Sequence, residues 1–587
     1  KGSFDGQVHA TKLVLDDGST VSVVSIADIY EEQDYLFLLE SSPGFVLPTD
    51  QDSLNDLFYK IQSVQTPTGR FAPNTEFSFS DFDASISVDN DVFNGTTDND
   101  FINSGTGDDV IYGRDGDDVL DGGADNDVIY GGSGNDYLTT GDGDDQLFGE
   151  LGDDILHISG SGAASLDGGE GNDTILLNLT NYTHTIEDFV VEINLATGRS
   201  GAVGVQSALD DTLSSIENII YRGPIASQLI GNDGDNIISG GAGDDYLEDG
   251  MGSDEVYGDA GDDTINNIGG SDLFDGGDGN DTLITDISSG FDERSFEVGF
   301  DTVAGTHGRL NSTVGQDMIS SIENFTLRGN FNAVVTGGDE DNIFISDAGD
   351  DVLTGGGGND ILSAWIGDDE VYAGAGNDTL INTGGEDLFD GGSGVDTLIT
   401  DLSQSVKDKL GFSDWDFDVV FDLTAEDPHM RHYGLKPDGS DYAWDEVYSI
   451  ENYKLIGDFD AYLTGDNEDN RLTADTGDDT LDGGSGNDTL EGGAGSDTFV
   501  FRGVFDHDVI NDFNEDTDVL EFYASDGTTL LASDLVESTN NDGDKVLSTA
   551  DGLSSVTLVG QSIVAPTLPA FDIALTSEVN GTASFAI

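Results

Sequence analysis

Residues 131–158 read GGSGNDYLTTGDGDDQLFGELGDDILHI, with aspartate at Asp136, Asp145 and Asp154, nine residues apart. The same clock runs through four blocks. The first has Asp100, Asp109, Asp118, Asp127, Asp136, Asp145 and Asp154, then one degenerate nonapeptide, ISGSGAASL, and a further unit at Asp173. The second runs Asn236, Asp245, Asp254, Asp263, Asp272 and Asp281. The third runs Asn342, Asp351, Asp360, Asp369, Asp378, Asp387 and Asp396, and the fourth Asn470, Asp479, Asp488 and Asp497. A fixed short period means stacked repeats, in which each unit buries its apolar side only against its neighbours.

Each part of the unit has a physical role. Glycines at the first, second and fourth positions are expected to take positive φ and turn the chain tightly, which lets carbonyl oxygens converge. The aspartate in the sixth position adds a carboxylate. Hard oxygens from carbonyls and one or two carboxylates suit Ca²⁺, which takes six to eight of them without strict geometry; Mg²⁺ demands a tighter octahedron. After the turn comes a short strand, such as Tyr137 and Leu138 or Thr489 and Leu490, whose eighth-position side chain points into a core.

These units resemble the GGxGxDxUx nonapeptides of RTX (repeats-in-toxin), hemolysin-type proteins. The resemblance implies an all-β fold: a right-handed parallel β-roll or β-solenoid of nonapeptide blocks, with β-rich inserts and capping domains. It also implies Ca²⁺ between stacked turns, held by turn carbonyls and by sixth-position aspartates two units apart. Asp109 and Asp127, Asp118 and Asp136, Asp245 and Asp263, Asp351 and Asp369, and Asp479 and Asp497 are then ligand pairs. Every sixth-position aspartate named above is a candidate metal ligand, and pairing units two apart gives roughly 16 ions. Asn236, Asn342 and Asn470 open their blocks with a neutral side chain, so those sites should be weaker or empty.

Composition supports a cation partner. The chain of 587 residues has 18 basic and 119 acidic residues and a net charge of −101, whose self-repulsion opposes compaction unless cations bind. Nucleic acid is excluded as a direct ligand, because phosphate recognition needs clustered Lys and Arg. Membrane insertion is not expected, since no stretch approaches the ~18 apolar residues of a span. Without cysteine the chain has neither disulfides nor thiolate metal sites.

The blocks, 94–176, 231–284, 337–399 and 465–500, alternate with inserts at 177–230, 285–336 and 400–464. The inserts are related, each carrying towards its end one of the stretches DDTLSSIEN, QDMISSIEN and DEVYSIEN. Alternating stretches such as EINLAT and ENIIYR read as strand, and the inserts are expected to continue the coil as longer strands without calcium. Residues 1–93, with a possible helix at DSLNDLFYKIQSV, and 501–587 are expected to cap the ends. The last segment, with HDVINDFNEDTDVLEF, resembles the close of the RTX region in type I secreted proteins.

No HExxH or GxSxG motif occurs. The DPHMRHYG stretch at 427–434 echoes alginate epimerases of this class but lacks their preceding tyrosine-glycine pair, and no regular Thr ladder suggests ice binding. The expectation is a non-enzymatic, extracellular or bacterial cell-surface chain that folds on calcium and serves as an S-layer-like, adhesin or filament component. The alternatives are the export module of a secreted enzyme whose catalytic domain precedes Lys1, and a phage or virion fibre. Expected partners are calcium ions, further copies of the chain or a cell-surface polysaccharide.

Overall fold

The computed structural model describes residues 7–14, 20–27, 34–40, 90–180, 190–203, 211–286, 298–309, 316–403, 418–425, 432–435, 441–561, 575–579 and 582–586. The possible helix at DSLNDLFYKIQSV and the first residues of DPHMRHYG lie outside them. The described elements are β-strands, with a single 3₁₀ turn at Ala532–Asp534. The chain divides into two units, Lys1–Ile265 with Gly277–Gly279, and Asn266–Gly276 with Asn280–Ile587.

In the first unit, each nonapeptide contributes one short strand, and each strand pairs in parallel with the one two units on. Val92–Asn94, Val110–Asp115, Val128–Ser133, Gln146–Leu151 and Ser165–Glu170 form one sheet. Phe101–Asn103, Val119–Ala124, Tyr137–Asp142, Ile155–Ile158 and Thr174–Asn178 form the other. The partner of a residue therefore lies 18 positions away, as in Ile111 with Ile129 and Leu120 with Leu138, and 19 away across the degenerate nonapeptide, as in Leu147 with Leu166. Eighth-position side chains from both sheets, Ile111, Leu120, Ile129, Leu138, Leu147 and Leu156, are fully buried between them. This is the parallel β-solenoid expected from the clock. On the outer face of one sheet, Tyr112, Tyr130 and Phe148 stack ring on ring at 5.0 Å spacing. A separate antiparallel sheet joins Gln7–Val14, Thr20–Ala27 and Asp34–Glu40.

The second unit repeats the scheme. One sheet runs through Ile343–Ile345, Ile361–Ser363, Thr379–Asn382 and Thr397–Asp401; the other through Ala333–Thr336, Val352–Gly357, Glu370–Ala375 and Leu388–Ser393. Leu353, Leu362, Val371 and Leu380 fill its core, as do Leu472, Leu481 and Leu490 further along. Near the end, Thr498–Arg502 pairs with Val519–Tyr523, burying Phe499 and Phe501.

The inserts differ from the expected longer strands. Each is an antiparallel meander: Val190–Asn194, Arg199–Val203 and Asp211–Ser214 in the first; Val298–Asp301, Thr306–Arg309 and Gln316–Ser320 in the second; Asp418–Asp422, His432–Leu435 and Asp441–Tyr448 in the third. Its outer strands join the parallel sheet, as Gln316–Ser320 does beside Leu273–Asp278. A hairpin returns the chain to the sheet edge it left, so its length can vary without shifting the register of the coil.

Candidate metal centre

Each sixth-position aspartate immediately precedes its strand; its main chain ties it to the turn two units on, and its carboxylate to the turn two units back. The Asp118 N–H donates to Asp136 Oδ1 at 2.7 Å, while the Asp118 carbonyl accepts the Tyr137 N–H at 2.8 Å. The same N–H to Oδ1 contact joins Asp109 to Asp127 at 2.8 Å, Asp245 to Asp263 at 2.8 Å, Asp351 to Asp369 at 2.7 Å and Asp479 to Asp497 at 3.1 Å. It also joins Asp100 to Asp118, Asp127 to Asp145, Asp136 to Asp154, Asp360 to Asp378, Asp369 to Asp387 and Asp378 to Asp396. Asp154 meets Asp173 across the degenerate nonapeptide, 19 residues on, at 2.8 Å. Asp254, Asp272, Asp281 and Asp488 are buried in equivalent places, so all 22 candidate carboxylates sit inside the turns.

The second carboxylate oxygen distinguishes these side chains. Oδ2 of Asp118, Asp127, Asp136, Asp145, Asp154 and Asp173 is buried without a hydrogen-bond partner, and so are those of Asp360, Asp378, Asp396, Asp479 and Asp488. A buried charged oxygen left unbonded costs several kcal/mol, so chains normally pair it or give it to a metal. Among the described residues, no group of three or more His, Asp or Glu side chains converges. An ion here must therefore draw on main-chain carbonyls, which Ca²⁺ accepts readily. The donor set fits Ca²⁺.

The first-position glycine is a correction to the expected role. Gly131 lies outside the positive-φ region, whereas Gly132 and Gly134 adopt it. Gly131 is required for space: a Cβ there would lie 2.4 Å from Asp136 Oδ2 and 2.8 Å from the Gly149 carbonyl. Where this position carries a hydroxyl, as at Thr140, it donates to the Ser159 carbonyl at 2.8 Å. Gly131→Ala, which adds a methyl and no donor, should destabilise the calcium-loaded chain by about 1–3 kcal/mol. Thermal unfolding read by circular dichroism checks this, and an unchanged midpoint would refute the steric role.

Burial sets the electrostatics. It pushes the carboxyls of Asp127 and Asp136 up to about 8; for Asp136 the like charges of Asp118 and Asp154 add to it, against the lowering effect of the Asp118 N–H. Asp118 rises to about 7, and Asp245 and Asp369 to about 8, with burial first in each case. Without a cation, these groups favour the proton.

Sequence reasoning missed the carboxylates that continue the ladder beyond the blocks. Glu217, Glu323 and Glu451, each in a SIEN turn, accept the N–H of Asp173, Asp281 and Asp396 at 2.8, 2.9 and 2.7 Å. The preceding serines, Ser215, Ser321 and Ser449, hold φ near +50° (51°, 50° and 51°), and Ile216, Ile322 and Ile450 are buried. Asp508 and Asp518 do the same for Asp488 and Asp497. The recurrence of SIEN was the available signal. It also explains the block-opening asparagines: the amides of Asn236, Asn342 and Asn470 donate to the carbonyls of Glu217, Glu323 and Glu451 at 2.6, 2.7 and 2.8 Å, a contact that aspartate cannot make.

A family model, the RTX calcium-binding nonapeptide repeat (4 copies), matches residues 87–120, 94–129, 121–156, 158–179, 230–265, 269–287, 329–362, 336–371, 366–398 and 464–499. None of the curated proteins compared matches the chain. Among solved structures, it is similar to the extracellular lipase LipA from Serratia marcescens, at 21% identity over 67% of this chain and 43% of the lipase, with a TM-score of 0.13. The chain thus spans less than half of that lipase's length.

Proposed function

We propose that the chain, whose blocks match the RTX calcium-binding nonapeptide repeat, is a secreted structural component that folds on calcium outside the cell. The observation that carries this reading is the ladder of buried carboxylates with an unbonded oxygen, repeated through the blocks at 18-residue intervals. In this reading Asp118, Asp127, Asp136, Asp360, Asp378, Asp479 and their equivalents hold the ions together with turn carbonyls. The bound ions supply positive charge in place of protons, and the chain's own residues supply the coil. Extracellular calcium modules have dissociation constants of about 10⁻⁴–10⁻³ M, so a cytosolic chain would stay metal-free and unfolded until export. The buried carboxylates stand on evenly spaced rungs along the sheets instead of gathering around one cleft. That favours an S-layer-like, adhesin or filament role, with further copies or a surface polysaccharide as partner, over catalysis.

The test is to purify the native product from its source and image it by negative stain with and without calcium. Ordered lattices or filaments that form only with calcium are expected. A product that carries hydrolase activity and forms no assembly would overturn the structural role.

A further inference from the structure

We propose that each insert supplies a calcium-free rung, in which protein donors stand where the blocks leave an oxygen open. The proposal rests on the calcium reading of the blocks. Each insert returns one buried aspartate to the ladder: Asp211, Asp317 and Asp445. Their Oδ1 atoms take the ordinary place, accepting the N–H of Ala164 at 2.8 Å, of Asp272 at 3.0 Å and of Asp387 at 3.0 Å.

Their Oδ2 atoms depart from the pattern of the blocks. Asp211 Oδ2 accepts the Ser200 hydroxyl at 3.2 Å. Asp317 Oδ2 meets His307 Nδ1 at 2.6 Å and the Asn267 amide at 3.0 Å. Asp445 Oδ2 accepts the Asn382 amide at 2.7 Å. The His307 ring is itself buried, lies against Phe300 and Phe325, and reaches Thr285 Oγ1 through Nε2 at 3.1 Å, so its orientation is fixed.

Asn267 and Asn382 occupy the first position of their nonapeptides, the place of Gly131 in the first block. There the glycine leaves space beside a carboxylate oxygen, and here an amide bonds to one. Calcium accepts only oxygen donors and needs six to eight of them, whereas an N–H aimed at the same oxygen competes with the ion for it. A fully hydrogen-bonded buried carboxylate also needs no cation to offset its burial beyond these donors. The insert rungs therefore form without metal, and the ions are confined to the blocks. Asp272 and Asp387, which the nine-residue register marks as ligands, each face an amide-satisfied rung on the insert side.

The full chain saturated with calcium, freed of excess by gel filtration and analysed for bound metal, tests this. Asp360→Asn, in a block, is the control and should lower the count by at least one ion. Asp317→Asn and Asp445→Asn should leave the count of the folded chain unchanged, and Asn382→Gly should raise it by one. Losses from Asp317→Asn and Asp445→Asn equal to the control's would overturn the proposal. Should those two variants fail to fold, Asn382→Gly decides: a gain of one ion supports the proposal, and an unchanged or lower count overturns it. A parent chain with no bound calcium would instead sink the calcium reading of the blocks.

Discussion

At about pH 9, transfer of the calcium-loaded chain into excess chelator is expected to abolish its β-sheet circular dichroism and to enlarge its hydrodynamic radius towards that of an unfolded chain. The carboxylates stacked at 18-residue intervals belong to a chain with a net charge of −101, and the unbonded Oδ2 atoms lie beyond the reach of water. At 100 times its dissociation constant, one ion contributes about 2.7 kcal/mol. About four independent ions thus equal the ~5–15 kcal/mol by which ordinary domains are stable, and the blocks offer more than four rungs. Removing all of them should unfold the blocks entirely. A spectrum and radius unchanged by chelator would show that the turns are held by something other than the cation.

Acid should then substitute for calcium. The carboxyls of Asp118, Asp127, Asp136, Asp245 and Asp369 rise to between about 7 and about 8 in the folded, metal-free chain, chiefly through burial, from the ordinary carboxyl value of 3.8. The folded state therefore binds more protons than the unfolded one, so its stability is greatest below about pH 4, falls progressively as pH rises, and is fully lost above the folded-state values of about 7 to 8. In chelator, the β signal should be present at about pH 5 and absent by about pH 9, with several groups titrating together to make the transition steep. Calcium in excess should reverse the trend, because the ion requires the deprotonated carboxylate. A metal-free chain that stays unfolded down to about pH 4 would show that unmet carboxylate charge is not what prevents folding.

Much of this was legible because the period is local. The nine-residue clock placed Leu138 and Leu490 in the core and Asp118 and Asp136 on one rung, and both features are present. What it could not convey depends on contacts through space. A rung normally spans 18 residues, but Asp173 finds Glu217 at a separation of 44 and Asp396 finds Glu451 at 55, because a hairpin of variable length intervenes. Glutamate in place of aspartate hid the equivalence further. The role of Gly131 was misread for a similar reason: its conformation is ordinary, and the demand for a missing Cβ comes from Asp136 and from Gly149 two units away. Likewise Asn382 looks like a lapse from glycine until Asp445, 63 residues later, is placed beside it.

Pairing between strands two nonapeptides apart has a consequence for how such chains can lengthen. In the second unit, the meanders of the second and third inserts attach to the same sheet, through Ala333–Thr336, Val352–Gly357, Glu370–Ala375 and Leu388–Ser393. Gain of one nonapeptide between them would move every later strand to the opposite sheet and bring the next hairpin out on the other face. Gain of two would restore its face and merely displace it. Lengthening therefore obeys a parity rule: even changes preserve which side an appendage occupies, and odd changes invert it.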